Sequence, residues 1–181
     1  MPYVRCPTCG VLSYGPRHAG EATCPECGVP LARGERAAGR SGDRPQRLDR
    51  LLRMIRELLD VDVALLTEIR DGREVAQRVA GAWPGQASLQ NVSLPLDETF
   101  CQRMLDGRIE NYIRDAATDP RVNDLAMARH LGVRSWLGVP ITVSDMRLYV
   151  LCCLALEARP SIGDREVRLL LGLAESVRME L

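Results

Sequence analysis

Two apolar runs in the second half of the chain predict a β-hairpin. They cover residues 135–143 and 148–156, are rich in β-branched and aromatic residues, and flank a short polar turn at 144–147. The second run has no polar alternation, so we expect both of its faces to be buried, as in the centre of a sheet covered by helices. Pro140 has no N–H to donate, so the first strand needs a bulge or an unpaired donor position there.

Apolar residues at helical spacing predict one helix before this hairpin and another at the end of the chain. The stripe of the first helix comprises Leu48, Leu51, Leu52, Ile55, Leu58 and Leu59. The last helix should begin at Ser161 or Gly163, and its stripe comprises Val167, Leu170, Leu171, Ala174, Val177 and Leu181, widened by Leu169 and Leu173. Because these stripes are wider than one packing face needs, we expect a homodimer through the terminal helices. The alternative is a monomer whose helices are consumed by packing on their own sheet.

The region between the first helix and the hairpin adds further elements. Residues 61–70 alternate along one face, Asp71-Gly72 is a strong hairpin turn, and residues 73–83 return as a second strand. The elements predicted after them are a helix of about ten residues between Asp97 as N-cap and Gly107, a strand at 109–113, and a small helix over 122–131. This order predicts an α+β fold, with an antiparallel sheet flanked by helices.

Composition narrows the classes of protein. The chain has 181 residues, which suits one domain plus an appendage, and its 24 basic and 24 acidic residues balance. No overall field therefore favours nucleic acid or membrane. No apolar segment follows a basic start, and the longest apolar run falls far short of the ~20 residues of a membrane helix. We expect a cytoplasmic protein without a membrane partner.

The N-terminal cysteines form two copies of one motif. Cys6-Pro-Thr-Cys9-Gly and Cys24-Pro-Glu-Cys27-Gly each place two thiols on a tight turn. Two such turns facing each other supply four sulfurs in a tetrahedron, the geometry of a structural zinc site. The alternative, two disulfides, would not persist in the cytoplasm. The motif resembles a zinc ribbon with rubredoxin-like zinc knuckles. We predict such a ribbon over residues 1–31, with Zn²⁺ supplying its folding energy.

An Arg- and Gly-rich linker is predicted over residues 32–47. It carries Arg33, Arg36, Arg40, Arg44 and Arg47. One interpretation is an arm that contacts phosphates, which would make the protein a nucleic-acid-binding regulator. The other is a solvated linker, which the lack of interleaved aromatic residues favours.

Residues 48–181 resemble a GAF domain. The stretches that carry the resemblance are residues 94–105, 112–115, 134–140 and 148–152. The resemblance implies an antiparallel sheet of six strands or fewer. It also implies a small-molecule pocket on one face of that sheet and the terminal helices on the other, where such helices commonly mediate dimers.

The chain departs from this family at two positions. Members usually carry glycine where this chain has Met146 and Val150. Val150 adds a side chain where a ligand or a neighbouring strand can approach, so the resemblance alone does not establish the volume of the pocket. The cysteine–histidine pair of bilin-binding members does not occur, and neither does a cyclic-nucleotide signature. We therefore do not expect a covalent tetrapyrrole.

The residues that the resemblance places around the pocket are candidates for ligand binding. They are Phe100, Cys101, Tyr112, Asp115, Arg134, Trp136 and Cys152. Taken singly, each also fits the core or the rim, and Asp115 fits a turn. Cys101 lies in the first turns of a predicted helix, where the N–H groups favour a thiolate. We therefore expect it to react faster than Cys152 or Cys153.

The three cysteines of this domain have two interpretations. Cys152 and Cys153 are adjacent on a strand and should point to opposite faces of the sheet. Cys101 and Cys152 could form a redox pair on the pocket side. The alternative is that all three are small apolar core residues, as free cysteines usually are.

The function predicted from these features is a GAF-domain sensor. It would bind an unknown small molecule and act through an unknown protein partner, because the chain ends at Leu181 in its last helix without a catalytic output segment. No Ser/His/Asp or paired-carboxylate motif stands out, so we assign no catalytic residues. The alternatives are the nucleic-acid-binding regulator, and a thiol-based redox sensor or methionine sulfoxide reductase-like enzyme.

Overall fold

The computed structural model describes residues 44–85, 88–143 and 147–181, together with four short strands before them. By internal packing, the chain divides into two units, residues 1–43 and residues 44–181. Within the described residues, no helix combines the length and the apolarity that a membrane crossing requires.

The first unit contains two small antiparallel hairpins. Strand β1 (Tyr3–Arg5) pairs with β2 (Leu12–Tyr14), and β3 (Ala22–Thr23) pairs with β4 (Pro30–Leu31). The residues predicted to bind zinc, Cys6, Cys9, Cys24 and Cys27, lie outside the described residues, as does the linker over 32–43. The zinc ribbon and the role of the linker therefore stay predictions.

The second unit has ten main elements, which follow one another in this order: α1 (Arg44–Leu58), β5 (Val63–Arg70), β6 (Arg73–Gly81), β7 (Ser93–Pro95), α2 (Phe100–Leu105), β8 (Tyr112–Ile113), α3 (Ala126–Arg129), β9 (Ser135–Thr142), β10 (Leu148–Ala155) and α4 (Asp164–Arg178). The six strands form one antiparallel sheet in the order β7-β6-β5-β10-β9-β8. The predicted α+β fold with an antiparallel sheet and flanking helices is confirmed.

The hairpin of β9 and β10 forms the middle of the sheet together with β5. Strand β10 pairs with β9 on one side and with β5 on the other, and all but its first residue are buried, as its unbroken apolar run predicts. Pro140 pairs in regular register with Val150, so no bulge is present. On its other edge, β9 pairs with β8 only at Trp136 and Leu137, and the Gly138 N–H donates to the Asn111 carbonyl just before β8. Pro140 lies outside this short pairing. Its missing N–H therefore breaks no strand pairing.

Turn and capping residues in the sequence correctly predict several ends of helices and strands. Asp71 and Gly72 both have positive φ, 50° and 68°, as a two-residue hairpin turn requires. Gly107, with a φ of 71°, follows helix α2 as predicted. The N-cap prediction is wrong, because Asp97 lies in a short 3-10 turn. Thr99 caps α2 instead, and its hydroxyl accepts from the Gln102 N–H at 3.3 Å.

Two other boundaries differ from the predictions. Helix α1 begins at Arg44, within the predicted linker, and α3 has only four residues. Strand β7 was not predicted at all, because its three residues are too short to show an alternating pattern.

The two faces of the sheet bury separate cores. The helix face packs against α1 and α4 and includes Leu48, Leu52, Ile55, Leu66, Leu151, Cys153, Leu170, Ala174 and Val177. The cavity face packs against α2 and the loops around it and includes Val63, Leu65, Ala76, Phe100, Cys101, Trp136, Val150, Cys152 and Leu154. The terminal helices thus lie on one face and leave the other to the cluster that contains Cys101.

Only some of the apolar residues in the predicted stripes of the terminal helices are buried. Leu48, Leu52 and Ile55 are fully buried, whereas Leu58 is 55% exposed. In α4, Leu171 belongs to the predicted stripe but is exposed. Other exposed apolar side chains on these helices are Met54, Leu169 and Met179. Apolar surface therefore remains on both helices after they have packed on the sheet.

Candidate functional site

Phe100 and Trp136 form the aromatic centre of the cavity face. Their rings stack with centroids 5.8 Å apart and planes 13° from parallel, and both side chains are fully buried. The Trp136 indole lies over Gly138, where any side-chain carbon would overlap the ring. These two predicted ligand-binding residues are therefore packed into the core.

Cys101 and Cys152 meet beside this aromatic pair. Cys101 is in the first turn of α2 and Cys152 is on β10, and their Sγ atoms are 3.4 Å apart. Both are 1% exposed. Cys153 points to the helix face, so the prediction that Cys152 and Cys153 face opposite sides is confirmed.

Glu74, on β6, completes this cluster. The Cys101 thiol donates to Glu74 Oε1 at 3.2 Å. Oε2 of the same carboxyl group is buried and accepts no hydrogen bond from the described residues. The nearby hydroxyls donate elsewhere, Thr99 to the Leu96 carbonyl at 2.8 Å and Thr67 to the Val150 carbonyl at 3.3 Å. A buried acceptor without a donor is unusual and costly, which marks this group as a candidate for function.

Burial controls the ionisation of the cluster. It raises the pKa of Glu74 above its ordinary value, and the polar side chains near the carboxyl group, first Cys101 and then Thr99 and Thr67, offset only part of that rise. Burial also raises the pKa of Cys101 well above its ordinary value, and the adjacent Cys152 and Glu74 raise it further. The expectation of a thiolate at Cys101 is therefore wrong. The helix N-terminus does not compensate for complete removal of this thiol from water.

A small cavity of about 50 Å³ adjoins Glu74 on the cavity face. Its walls are almost entirely apolar, and Thr67 and Glu74 are its polar groups. The lining residues are Leu65, Thr67, Glu74, Ala76, Trp83, Leu89, Val92, Leu94, Met127, Leu131, Val133 and Leu154. None of the residues predicted to bind a ligand lines this cavity.

The volume of the cavity limits what can enter it. Drug-sized ligands occupy pockets of about 300–1,000 Å³, whereas this cavity holds a few water molecules or a ligand of a few heavy atoms. Val150, at the position where glycine was expected, is fully buried in the core of this face. Its side chain takes up room that a glycine would leave open.

The remaining predicted ligand-binding residues lie at the surface. Arg134 and Asp115 form a two-point ion pair, with Nε to Oδ1 at 2.7 Å and Nη2 to Oδ2 at 2.8 Å. This pairing lowers the pKa of Asp115, which also accepts from the Ala117 N–H, as a turn residue does. Tyr112 stacks under the Arg114 guanidinium, 4.9 Å from the ring centroid.

An open groove of about 430 Å³ runs along this surface. Its lining residues are Tyr112, Arg114, Asp115, Thr118, Asp119, Pro120 and Arg121. The seven predicted residues thus divide into a buried group of four and a surface group of three.

Glu74 was not predicted as a site residue, because the strand that carries it, β6, has an irregular pattern of buried residues. The alternation in β6 is conspicuous at Val75 and Val79, which suggests that these residues face the core. In the structure, Glu74, Ala76 and Ala80 are buried, while Val75 and Val79 are only partly buried. A bulge opposite Leu66 and Thr67 shifts the register, so that Ala76 faces the cavity and Ala80 faces the helices. A one-residue bulge is not visible in the sequence pattern.

The fold and the sequence together define a GAF domain. The family model described as GAF domain matches residues 41–179, so the chain belongs to this family of sensor and signalling domains. The resemblance noted over residues 48–181 is thereby confirmed. No curated protein matches the chain in sequence.

Solved structures with the same fold include light-sensing and other bacterial GAF domains. The blue-light absorbing form of the Thermosynechococcus elongatus PixJ GAF domain is 20% identical, with a TM-score of 0.60 over 76% of this chain and 84% of that one. A phycoerythrobilin-bound GAF domain from a cyanobacterial phytochrome is 16% identical, with a TM-score of 0.59 over 76% and 84%. A GAF domain/HD domain protein from Geobacter sulfurreducens is 15% identical, with a TM-score of 0.59 over 76% and 91%. At these identities the likeness shows the fold alone.

Proposed function

We propose that this protein senses a small molecule in the cavity beside Glu74 and passes the result to a partner chain. The observation that carries the proposal is the composition of the cavity, whose apolar walls enclose the polar groups of Thr67 and Glu74. A concave apolar site with a few polar groups is the usual form of a ligand site. The small volume indicates a ligand of a few heavy atoms rather than a tetrapyrrole.

The cavity can be tested by narrowing it. Ala76 lines it, whereas Ala80, on the same strand, packs on the helix face. We expect wild-type protein to bind xenon, followed by ¹²⁹Xe NMR, and to retain a small molecule in native mass spectrometry. Ala76→Val should lose both signals, and the matched control Ala80→Val should keep them. Loss of neither signal in Ala76→Val, or absence of both in the wild type, would contradict the proposal.

Transmission to a partner would use the terminal helices. The buried sides of these helices pack on the face of the sheet that is opposite the cavity face. Leu58 and Leu169 remain exposed on the outer sides of the helices. We propose that this surface forms a homodimer or receives the unknown partner. Light scattering should report a dimer for the wild type and a monomer for Leu58→Glu combined with Leu169→Glu. Leu51 and Leu173 are unsuitable for this test because both pack partly against the core of the helix face.

A second candidate function is thiol-based redox sensing, which the 3.4 Å separation of the Cys101 and Cys152 sulfurs favours. Hydrogen peroxide would oxidise one thiol to a sulfenic acid and release water. The other thiol would then displace a second water and form the disulfide. Peptide mapping after peroxide treatment should find Cys101 linked to Cys152 and Cys153 reduced. Free thiols at both Cys101 and Cys152 after a treatment that oxidises the denatured protein would rule this candidate out.

Zinc binding by the N-terminal cysteines belongs to the same proposal. The duplicated Cys-Pro-x-Cys-Gly motif supports it. Metal analysis of reduced protein should find one zinc per chain more in the wild type than in a variant with Cys6 and Cys9 replaced by serine. Nucleic-acid binding stays a prediction, because Arg33, Arg36 and Arg40 lie outside the described residues and Arg44 and Arg47 belong to helix α1.

A further inference from the structure

Three metal-ligating side chains converge on the cavity face from three different elements. They are Glu74 on β6, Cys101 on α2 and Cys152 on β10, and one ligand atom of each lies within 4.8 Å of the others. All three side chains are buried. Residues far apart in the sequence are thus brought to one point, at the edge of the small cavity that Glu74 lines.

The metal-free cluster leaves its polar atoms poorly satisfied. Glu74 Oε2 is buried and accepts no hydrogen bond from the described residues, and the Cys101 thiol donates to Oε1 of the same carboxylate. An ordinary apolar core would place no carboxylate here, since a buried acceptor without a donor costs free energy. A cation bound to Glu74 Oε2 and to both sulfurs would give the unsatisfied oxygen a partner.

We propose that Glu74, Cys101 and Cys152 bind one Zn²⁺ ion, with its remaining coordination position directed to the cavity. Two cysteine sulfurs and a carboxylate are ligands that zinc takes in proteins, and three protein ligands with an open fourth position are typical of zinc sites that bind an exchangeable ligand. Two zinc–sulfur bonds of about 2.3 Å at a tetrahedral angle hold their sulfurs about 3.8 Å apart, so the separation of 3.4 Å needs to widen by only a few tenths of an ångström.

The charge balance of the site supports zinc. Before binding, two neutral thiols and one carboxylate carry a total charge of about −1. Zinc replaces the two thiol protons, which leave to solvent, and two thiolates, one carboxylate and Zn²⁺ again sum to about −1. Loading the site therefore adds no net charge to the core. This inference is independent of which organic ligand, if any, enters the cavity.

Counting metal ions in the full-length chain tests the proposal. Reduced protein is saturated with Zn²⁺ without oxygen, freed of excess metal and weighed by native mass spectrometry. We expect Cys101→Ser and Cys152→Ser each to carry one zinc fewer than the wild type. The matched control is Cys153→Ser, which removes a neighbouring buried thiol on the helix face and should carry the wild-type number.

A second variant guards against misfolding of the cysteine mutants. Replacing Cys6, Cys9, Cys24 and Cys27 by serine alters no residue of the cavity face, and this chain should still bind one zinc. In that background, Glu74→Gln should weaken zinc binding at least about tenfold against a competing chelator, because a neutral amide replaces the charged ligand. No zinc in the four-serine chain would overturn the proposal, and so would equal zinc in the wild type and Cys101→Ser. Neither result would affect the xenon test of the cavity.

Discussion

The two faces of the sheet bury similar apolar side chains but treat their polar groups differently. On the rim of the helix face, the buried carboxylate of Glu68 accepts from Gln77 at 2.9 Å and pairs with Arg70 at 3.6 Å. On the cavity face, Glu74 is buried next to two thiols, and one of its oxygens has no donor among the described residues. The helix face is therefore built for stability. The cavity face loses some stability by burying a carboxyl group next to two thiols, and such costly polar groups are common at functional sites.

The adjacent cysteines of β10 sharpen this comparison. Cys153 lies among aliphatic side chains of the helix face, and burial raises its pKa. Cys152, one residue earlier, faces Cys101 and lies within reach of Glu74. The same residue type at consecutive positions thus has two different environments, because neighbouring side chains on a strand point to opposite faces.

Large truncations should show that both faces are true cores. Trp136→Ala on the cavity face should lower the free energy of unfolding by about 3–5 kcal/mol, and Leu170→Ala on the helix face by about 2–5 kcal/mol. Both side chains are essentially inaccessible to solvent. Urea denaturation would measure these losses. A loss below about 1 kcal/mol at either site would show that the corresponding face is loosely packed.

The thiols provide the next largest effect. In reduced, metal-free protein, we expect iodoacetamide to modify Cys101, Cys152 and Cys153 at least about 100-fold more slowly than in denatured protein. The reason is that burial both excludes the reagent and disfavours the thiolate. Peptide mapping by mass spectrometry would measure the rates. Rapid modification of Cys101 alone in the native protein would show that this thiol is ionised, as its position in the helix suggested.

The raised pKa of Glu74 predicts a pH dependence of stability. Between its ordinary value of 4.5 and its raised value in the fold, the native state binds more protons than the unfolded state, so wild-type stability falls as pH rises. Glu74→Gln removes this titration. Relative to metal-free wild type, the variant should gain about 1.4 kcal/mol for each unit by which the pKa is raised. Thermal unfolding across this pH range would measure the difference, and a constant difference would contradict it.

The smallest expected effect concerns the cap of helix α2. Thr99→Ala removes the hydroxyl that accepts from the Gln102 N–H and donates to the Leu96 carbonyl, and it should cost about 1 kcal/mol. Asp97→Ala is the matched control and should have little effect, because the Asp97 side chain does not cap this helix. Equal losses in urea denaturation would reinstate Asp97 as the N-cap.

The sequence allowed the fold to be predicted further than the site. Periodicity and turn residues identified the central hairpin, the turn at Asp71-Gly72 and both terminal helices, because these signals are local. The proximity of Cys101 and Cys152 was one of two interpretations of these cysteines, and it depended on the resemblance to a GAF domain. The contribution of Glu74 could not be predicted, because a bulge in its own strand, at Gln77, changes which residues of β6 face the cavity.

The residues expected to bind a ligand were assigned through the family rather than through packing. Phe100 and Trp136 stack on each other, and Arg134 pairs with Asp115, so these groups have partners within the chain. The cavity instead lies against side chains such as Trp83 and Leu131, which are joined by a hydrogen bond from the indole N–H to the backbone carbonyl. Such contacts between distant segments have no local signature in a sequence.

The edges of the sheet carry a separate consequence. A long, exposed edge strand offers a row of free N–H and C=O groups onto which another chain can add, which is a route to aggregation. Here the two edge strands, β7 and β8, have only three and two residues, and β7 ends at Pro95, which has no N–H. The edge strands themselves therefore offer another strand very little backbone to pair with. Association of two copies through β7 or β8 is therefore disfavoured, and contacts between copies through side-chain surfaces can be changed by a single charge or substitution.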